Sequence, residues 1–178
     1  MDRGNGRELV LAIYANARGF SYALFEGPDR PVDWGLKGAR GDKNERCLAK
    51  AVELIAWLKP DLLVLENANV EGSRRAPRIR ELVEALRDHA RSLKLKVRRY
   101  CRQELRAAFT AQGAATRYQI ATVIAARFPE FEAALPPPRK IWMSEDRKLA
   151  IFDAISLVVT FFHAETTDGA DRDREIAG

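Results

Sequence analysis

The stretch Leu149-Ala-Ile-Phe-Asp-Ala-Ile-Ser-Leu-Val-Val-Thr-Phe-Phe162 decides how the rest of the chain must be arranged. Wound into a helix it is apolar almost all round, and such a helix packs deep inside a globular domain. Its fourteen residues are fewer than the roughly 20 that cross a bilayer, so no membrane span is predicted. Its single charge is Asp153. A buried carboxylate is costly unless a base, several hydrogen-bond donors or a divalent metal compensates for it.

A second carboxylate, Glu66, ends another apolar run, Pro60-Asp-Leu-Leu-Val-Leu-Glu66. A short apolar run of this kind is typical of a central strand that is buried on both faces. In open α/β sheets the functional crevice lies beyond the carboxyl ends of such strands, where Glu66 is placed. Two acids on two buried elements are what a metal site with oxygen ligands needs.

The remaining periodicities complete an alternating pattern of strands and helices. Strands are predicted at 9–15, 19–25, 31–37, 61–66 and 95–100. Helices are predicted at 44–58, 79–93, 102–109, 116–128 and 149–162. This order indicates an α/β fold, a mixed five-stranded sheet with helices on both faces and the 61–66 strand beside the first strand. We take 1–163 as one domain and 164–178 as an acidic tail with too few apolar residues to order itself.

The charge of the chain is unevenly distributed. The net charge is +5, but residues 70–106 hold twelve Lys or Arg against five Asp or Glu, and residues 164–178 hold five acids against two Arg. A basic body indicates a polyanionic partner, most simply nucleic acid, although a merely soluble basic surface is the alternative. Cys47 and Cys101 match no metal spacing, and residues 1–7 lack the apolar segment of a signal peptide. A cytoplasmic location is therefore expected.

Three segments resemble the RuvC-type Holliday-junction resolvases of the RNase H-like superfamily. Leu11–Phe25 is similar to the opening hairpin, Pro60–Glu66 to the fourth strand with its metal-binding Glu, and Phe152–Leu157 to the helix that carries the last catalytic Asp. The resemblance covers roughly residues 9–163. It implies an RNase H-like fold, a Mg²⁺ or Mn²⁺ cofactor, structured or branched DNA as substrate, and a homodimer, for which Trp57 and the second helix are candidate surfaces.

Two acids of that family are missing here. The first-strand Asp falls on Tyr14, and the acid one helical turn before the final Asp falls on Ala150. The nearest substitute is Asp146, which lies on the same helix face as Asp153 if the helix begins one or two residues before Asp146. If the helix instead starts at Arg147, Asp146 is its N-cap.

The resemblance makes Glu66, Asp153 and Asp146 the candidate catalytic residues and metal ligands, holding Mg²⁺ or Mn²⁺ to activate water. Tyr14 is a poor Mg²⁺ ligand because its phenol stays protonated near pH 7. Asn16 is either a neutral ligand or a turn residue. The alternative for each acid is a structural ion pair. Glu66 would then pair with a base such as Arg18, and Asp153 with Arg98, Arg99 or Arg102.

Basic side chains follow Glu66 in a loop containing Gly72 and Ser73 and continue around the fifth strand. The candidate nucleic-acid-binding residues are Arg18, Arg74, Arg75, Arg78, Arg80, Lys96, Arg98, Arg99 and Arg102. Contacts of such residues to phosphates give affinity without reading sequence. The aromatic residues Tyr100, Tyr118 and Trp142 either stack on exposed bases or belong to the core.

Two functions remain open at this point. The first is a RuvC-like, divalent-metal-dependent endonuclease that binds structured or branched DNA. The second is a nuclease-fold DNA-binding or scaffold protein that has lost catalysis, for which Tyr14 in place of the first acid is the evidence. An actin-like ATPase is disfavoured because Ala15–Gly19 is a poor glycine-rich phosphate loop.

Overall fold

The computed structural model describes the backbone of residues 7–176 and the side chains of residues 7–168. In this part of the chain the strands are β1 (Leu9–Asn16), β2 (Gly19–Glu26), β3 (Pro31–Gly38), β4 (Leu62–Glu66) and β5 (Lys96–Tyr100). The helices are α1 (Lys43–Leu58), α2 (Pro77–Ser92), α3 (Arg102–Phe109), α4 (Arg117–Arg127) and α5 (Leu149–Ile176). Short 3₁₀ turns at Thr110–Gln112 and Pro129–Ala134 follow α3 and α4.

The five strands form one mixed sheet in the order β3-β2-β1-β4-β5. Strands β1, β2 and β3 pair as antiparallel neighbours, whereas β4 lies parallel to both β1 and β5. The register places Ile13 opposite Leu65 and Glu66 opposite Tyr100, so β1, β4 and β5 end at one edge of the sheet. The predicted fold class, with β4 beside β1, is confirmed.

Every residue of β4 is buried because both faces of the sheet are covered. Leu62 and Val64 pack into the core on the α5 side, and Leu63 and Leu65 pack into the core on the side of α1 and α2. Successive side chains of a strand point to opposite faces, so a strand between two cores has no polar position until it reaches an edge. Glu66 is that edge residue.

Helix α5 is the core helix that the sequence predicts. It packs on β1 and β2 and against α3 and α4, with residues such as Phe152, Ile155 and Leu157 at most 2% exposed. By length and composition alone, Leu149–Asp168 could also cross a membrane. Most of that segment is buried inside this fold, however, as expected of a core helix.

Helix α5 begins at Leu149 as expected but ends later than expected. The helix continues to Ile176, so the predicted disordered tail is helical from Ala164 to Ile176. Adding residues to an existing helix is far easier than nucleating one, and the packed first half of α5 supplies the nucleus. At its other end α5 begins at Leu149, after a turn in which the Asp146 carboxylate accepts a hydrogen bond from the Lys148 N–H at 2.8 Å.

Candidate functional site

The candidate site lies at the edge of the sheet where β1 and β4 end and α5 crosses them. Tyr14, Glu66 and Asp153 line one cavity of about 170 Å³. Tyr14 and Asp153 also line an adjoining cleft of about 500 Å³. The structure therefore brings the two predicted acids together, with Tyr14, the residue that the resemblance matches to the first-strand acid of RuvC-type resolvases, beside them.

Glu66 is compensated by Arg75, which comes from the loop after β4. Glu66 is 4% exposed, and its Oε2 lies 2.9 Å from Arg75 Nε. Arg75 Nε and Glu66 Oε2 therefore form an ion pair, but the Nε–H is not directed at this oxygen. Neither atom has a hydrogen-bond partner among the described residues. A terminal nitrogen of Arg75 donates to the carbonyl of Ala15, and the guanidinium carbon lies 5.1 Å from the centre of the Tyr14 ring.

Asp153 is held more firmly, by Arg117 at the start of α4. Arg117 Nε donates to Asp153 Oδ1 at 2.9 Å, and a terminal nitrogen donates to Oδ2. The other terminal nitrogen lies 2.5 Å from the Glu145 carboxylate. The bidentate contact between Arg117 and Asp153 is the strong form of an arginine–carboxylate pair. The base is therefore Arg117, and not Arg98, Arg99 or Arg102, which were considered for Asp153 in the alternative of a structural ion pair.

The local sequence explains why Arg117 stands in the right place. Thr116 caps α4 by accepting a hydrogen bond from the Gln119 N–H at 3.2 Å, and the Gln119 side chain accepts one from the Thr116 N–H at 3.1 Å. This reciprocal pair, a capping box, fixes the first turn of the helix and therefore the direction in which Arg117 leaves it.

Burial and charge shift the pKa of each group in the cavity. Burial raises the pKa of Glu66, although Arg75 and Arg102 oppose the increase. Burial likewise raises the pKa of Asp153, and its hydrogen bonds with Arg117 oppose that change. For Tyr14, burial and then the negative charge of Asp153 raise the pKa to about 12. The Tyr14 phenol is therefore protonated at neutral pH and offers a hydrogen-bond donor, not an anionic ligand.

These residues do not fit the divalent metal that the resemblance implies. A two-metal nuclease needs several oxygen ligands around ions about 3.5–4 Å apart. Glu66 and Asp153 each face an arginine, and Asp146 is an exposed turn residue at the rim of the larger cleft. Within the part of the chain whose side chains are described, no three Asp, Glu, His or Cys residues are grouped closely enough to hold a metal. The helix start that would have turned Asp146 toward Asp153 is absent, because α5 begins at Leu149.

Several predicted phosphate-binding residues have structural roles instead. Arg75 is paired with Glu66 and lines the larger cleft. Arg78 donates to the Asn44 side chain at 3.0 Å and to the Asn16 carbonyl at 3.2 Å, so it ties α2 to α1 and to the end of β1. Asn16 itself is a turn residue, because its side-chain oxygen accepts the N–H groups of Arg18 and Gly19.

The other predicted basic residues are available to different degrees. Arg99 lies 2.7 Å from Glu84 on α2 and is therefore paired. Arg102 lines both the cavity and the larger cleft. The side chains that remain exposed, or partly exposed in the case of Arg80, are those of Arg18, Arg74, Arg80, Lys96 and Arg98.

A second groove, of about 610 Å³, is strongly basic and was not predicted from the sequence. Its lining has no acid among the described residues and six basic side chains, Arg18, Arg40, Lys43, Arg46, Lys50 and Arg147. Lys43, Arg46 and Lys50 are three, four and seven residues apart and so share one face of α1. The helical spacing of these three residues could be recognised in the sequence. Arg18, Arg40 and Arg147 come from other segments of the chain, so their place in the groove could not be predicted from spacing.

The larger cleft joins this basic groove and is itself positively charged. Arg18, Gly38 and Arg147 line both. The cleft has three acidic lining residues, Glu145, Asp146 and Asp153. Its basic lining residues are Arg18, Lys37, Arg75, Arg102, Arg117 and Arg147. A surface of this charge suits phosphate groups, whereas a two-metal centre requires a concentration of carboxylates.

No protein-family model and no curated protein matches the sequence. Among solved structures, the fold is similar to RuvC from Thermus thermophilus, with 14% identity, a TM-score of 0.64, and coverage of 89% of this chain and 96% of that one. T. thermophilus RuvC in complex with a Holliday junction substrate is 13% identical, with a TM-score of 0.65 and coverage of 90% of this chain and 96% of that one. The yeast mitochondrial Holliday junction resolvase Ydc2 is 13% identical, with a TM-score of 0.57 and coverage of 86% of this chain and 78% of that one. Over nearly its whole length, this chain has the RNase H-like fold in its RuvC-type form.

Proposed function

We propose that this protein binds structured or branched DNA on a RuvC-type nuclease fold whose acidic centre has been converted into arginine–carboxylate pairs, and that it does not cleave that DNA by a two-metal mechanism. The observation that carries the proposal is the pairing of Glu66 with Arg75 and of Asp153 with Arg117 on either side of a protonated Tyr14. Each guanidinium supplies the positive charge that a metal ion would otherwise bring to its carboxylate.

The energetics of the Asp153 pair support this loss of metal binding. Removing the partner of a buried ion pair costs about 3–5 kcal/mol because the remaining charge is uncompensated. The Arg117 side chain is 36% exposed, so the term for this pair is about 3 kcal/mol, and a metal that displaced Arg117 would have to offset it, equivalent to about two powers of ten in affinity. With two of the family's acids replaced by Tyr14 and Ala150, few ligands remain to provide it.

DNA is the partner that best suits the surface. The basic groove has six cationic side chains and no acid among its described lining residues, and it continues into the positively charged cleft. Neutralising phosphates in this way releases counterions and gives sequence-independent affinity. The T. thermophilus RuvC structure with a Holliday junction substrate supports a branched partner for a chain of this fold.

A divalent-metal-dependent endonuclease is the second candidate, and one observation favours it. The contact between Glu66 and Arg75 is off-axis and lacks a hydrogen bond, so this pair is held less firmly than Arg117 and Asp153. A DNA phosphate that attracted Arg75 would leave Glu66 free to bind Mg²⁺ or Mn²⁺ beside the substrate.

Incubation of the protein with a labelled four-way junction and a linear duplex of matched sequence separates the two candidates. We expect the junction to be bound and to remain intact in Mn²⁺, and calorimetric titration of Mn²⁺ to show binding no tighter than millimolar. Nicking by the wild type that disappears in both Glu66→Gln and Asp153→Asn would establish the endonuclease. Absence of binding to either DNA would refute both candidates.

A further inference from the structure

Three consecutive apolar side chains protrude from the loop before α5. Ile141 is 97% exposed, Trp142 80% and Met143 48%. The Met143 N–H donates to the Lys140 carbonyl at 3.0 Å, which closes a turn with Ile141 and Trp142 at its tip. Single exposed apolar residues are ordinary, but contiguous ones mark an interaction site. We call residues 141–143 the apolar tip.

The loop that carries the apolar tip is attached to α4 at both ends. Before the tip, the Tyr118 hydroxyl donates to the Pro136 carbonyl at 3.0 Å. After it, Glu145 pairs with Arg117 at 2.5 Å, the same arginine that holds Asp153. The base of the loop is therefore fixed relative to the arginine-paired acids. Since Ser144 to Arg147 line the larger cleft, the tip rises from the rim of that cleft.

The charges next to the apolar tip are mainly positive. Arg139 and Lys140 precede it, and Arg147 and Lys148 follow it. The Lys140 ammonium lies 5.4 Å from the centre of the Trp142 ring. Between the tip and Arg147 there are two acids, of which Glu145 is paired with Arg117 and Asp146 caps the turn into α5. An aromatic ring among cations, beside a positively charged cleft, matches the chemistry of an exposed nucleobase and its backbone.

We propose that Trp142 stacks on an unpaired base of the bound DNA, so that the apolar tip distinguishes DNA with unpaired bases from continuous duplex. This inference rests on the proposed DNA binding and adds the feature of the DNA that is recognised. Bases inside a duplex are already stacked on each other and offer no free face. Bases at a branch point, flap or gap do, and stacking on them does not depend on their identity.

The size of the effect follows from the usual strength of a base–aromatic stack. Loss of one stack by replacement with Ala weakens binding by about 5- to 150-fold. We expect Trp142→Ala to lose this factor for a duplex with an unpaired flap and to keep its affinity for the uninterrupted duplex, which is bound through phosphates. Trp142→Phe retains an aromatic face and should keep most of the preference.

The test compares affinities for these two labelled DNAs by fluorescence anisotropy at one fixed salt concentration. A 2-aminopurine in the flap reports stacking directly, since its fluorescence should be quenched by the wild type and not by Trp142→Ala. The control is Val32→Ala, because Val32 is an apolar side chain on β3 that is 47% exposed and lines neither the larger cleft nor the basic groove. Val32→Ala should leave the ratio of the two affinities unchanged.

The outcomes separate this inference from the proposed function. If the wild type binds neither DNA, the proposed DNA binding and the stacking by Trp142 are both refuted. If it binds both DNAs but Trp142→Ala leaves the affinity ratio and the 2-aminopurine signal unchanged, DNA binding stands and the stacking is overturned. A change in molecular mass of Trp142→Ala by light scattering, with an unchanged affinity ratio, would also overturn it and would identify the tip as a contact between copies of this chain.

Discussion

Replacement of Arg117 by Ala is expected to be among the most destabilising single changes at the candidate site. It removes both hydrogen bonds to Asp153, whose side chain is 11% exposed, and the ion pair with Glu145. A fully buried carboxylate left without its partner costs about 3–5 kcal/mol. The Arg117 side chain is 36% exposed and therefore partly screened, so we expect about 3 kcal/mol. For a domain of this size that corresponds to a fall in Tm of roughly 6–12 °C.

The loss of stability in Arg117→Ala should depend on pH, and the titration of Asp153 determines whether it grows or shrinks as pH rises. Without Arg117, burial raises the pKa of Asp153 unopposed by its principal partner. A carboxyl whose pKa is higher in the folded state than in the unfolded state favours folding below its unfolded pKa, and this contribution is lost as pH rises through the folded pKa. The variant should therefore be closest to the wild type in acid and furthest from it at neutral pH.

Urea unfolding of the wild type and of Arg117→Ala, measured at several pH values between about 4 and 8, tests both statements. The matched control is Arg127→Ala, which removes an arginine from the other end of the same helix. Arg127 pairs at 3.0 Å with Asp29, whose side chain is 80% exposed, so its loss should stay within about 1 kcal/mol. Equal losses in the two variants, or a difference that does not change with pH, would refute the buried-pair reasoning.

Three further predictions concern Arg75, the basic groove and the oligomeric state. Arg75→Ala should lower the free energy of unfolding by about 2 kcal/mol, because Glu66 is left buried without its paired base. Arg74→Ala, at an exposed neighbour, should change it by no more than about 0.5 kcal/mol, with both variants measured by urea unfolding. Equal effects would show that the Glu66–Arg75 pair does not stabilise the fold. Arg46→Ala should weaken binding to all DNA sequences alike and reduce the slope of log affinity against log salt by about 0.9. Lys96→Ala, on β5 and outside the basic groove, is measured for comparison. An unchanged slope in Arg46→Ala would exclude the groove from the interface. The homodimer remains a prediction, and light scattering at micromolar concentration should give twice the 20.1 kDa of one chain, with and without junction DNA; a mass of one chain in both cases would contradict it.

The architecture could be predicted from sequence because its determinants are local patterns. The continuous apolar run before Glu66 is the pattern of a strand between two cores, and the Leu149–Phe162 run is the pattern of a buried helix; the sheet places both as expected. Hydrophobic periodicity reports burial, and burial of these segments leaves few arrangements of the chain. The same reasoning placed Glu66 at the crevice beyond the strand ends, whereas the position of Asp153 beside it was implied by the family resemblance, because Asp153 lies on α5.

The partners of those two acids were decided by the tertiary structure alone. Arg75 is nine residues from Glu66 and Arg117 is 36 residues from Asp153, and nothing in the spacing distinguishes them from the other arginines of this basic chain. From the sequence, Arg18 for Glu66 and Arg98, Arg99 or Arg102 for Asp153 were partners only in the alternative to metal binding, and Arg75 was assigned to phosphate binding. An ion pair depends on where two long side chains meet in space, and neither helical nor strand periodicity encodes that meeting.

The charge of the site is likewise a tertiary property. The sequence predicted a centre of three acids that bind a divalent metal, Glu66, Asp153 and Asp146. In the structure α5 starts too late to turn Asp146 inward, two arginines neutralise the other acids, and four separate segments of the chain assemble a groove without acids among its described lining residues. Composition determined that this protein is basic. Only the fold determined where the positive charge is concentrated, because charges distant along the chain interact strongly only after folding brings them within a few ångströms.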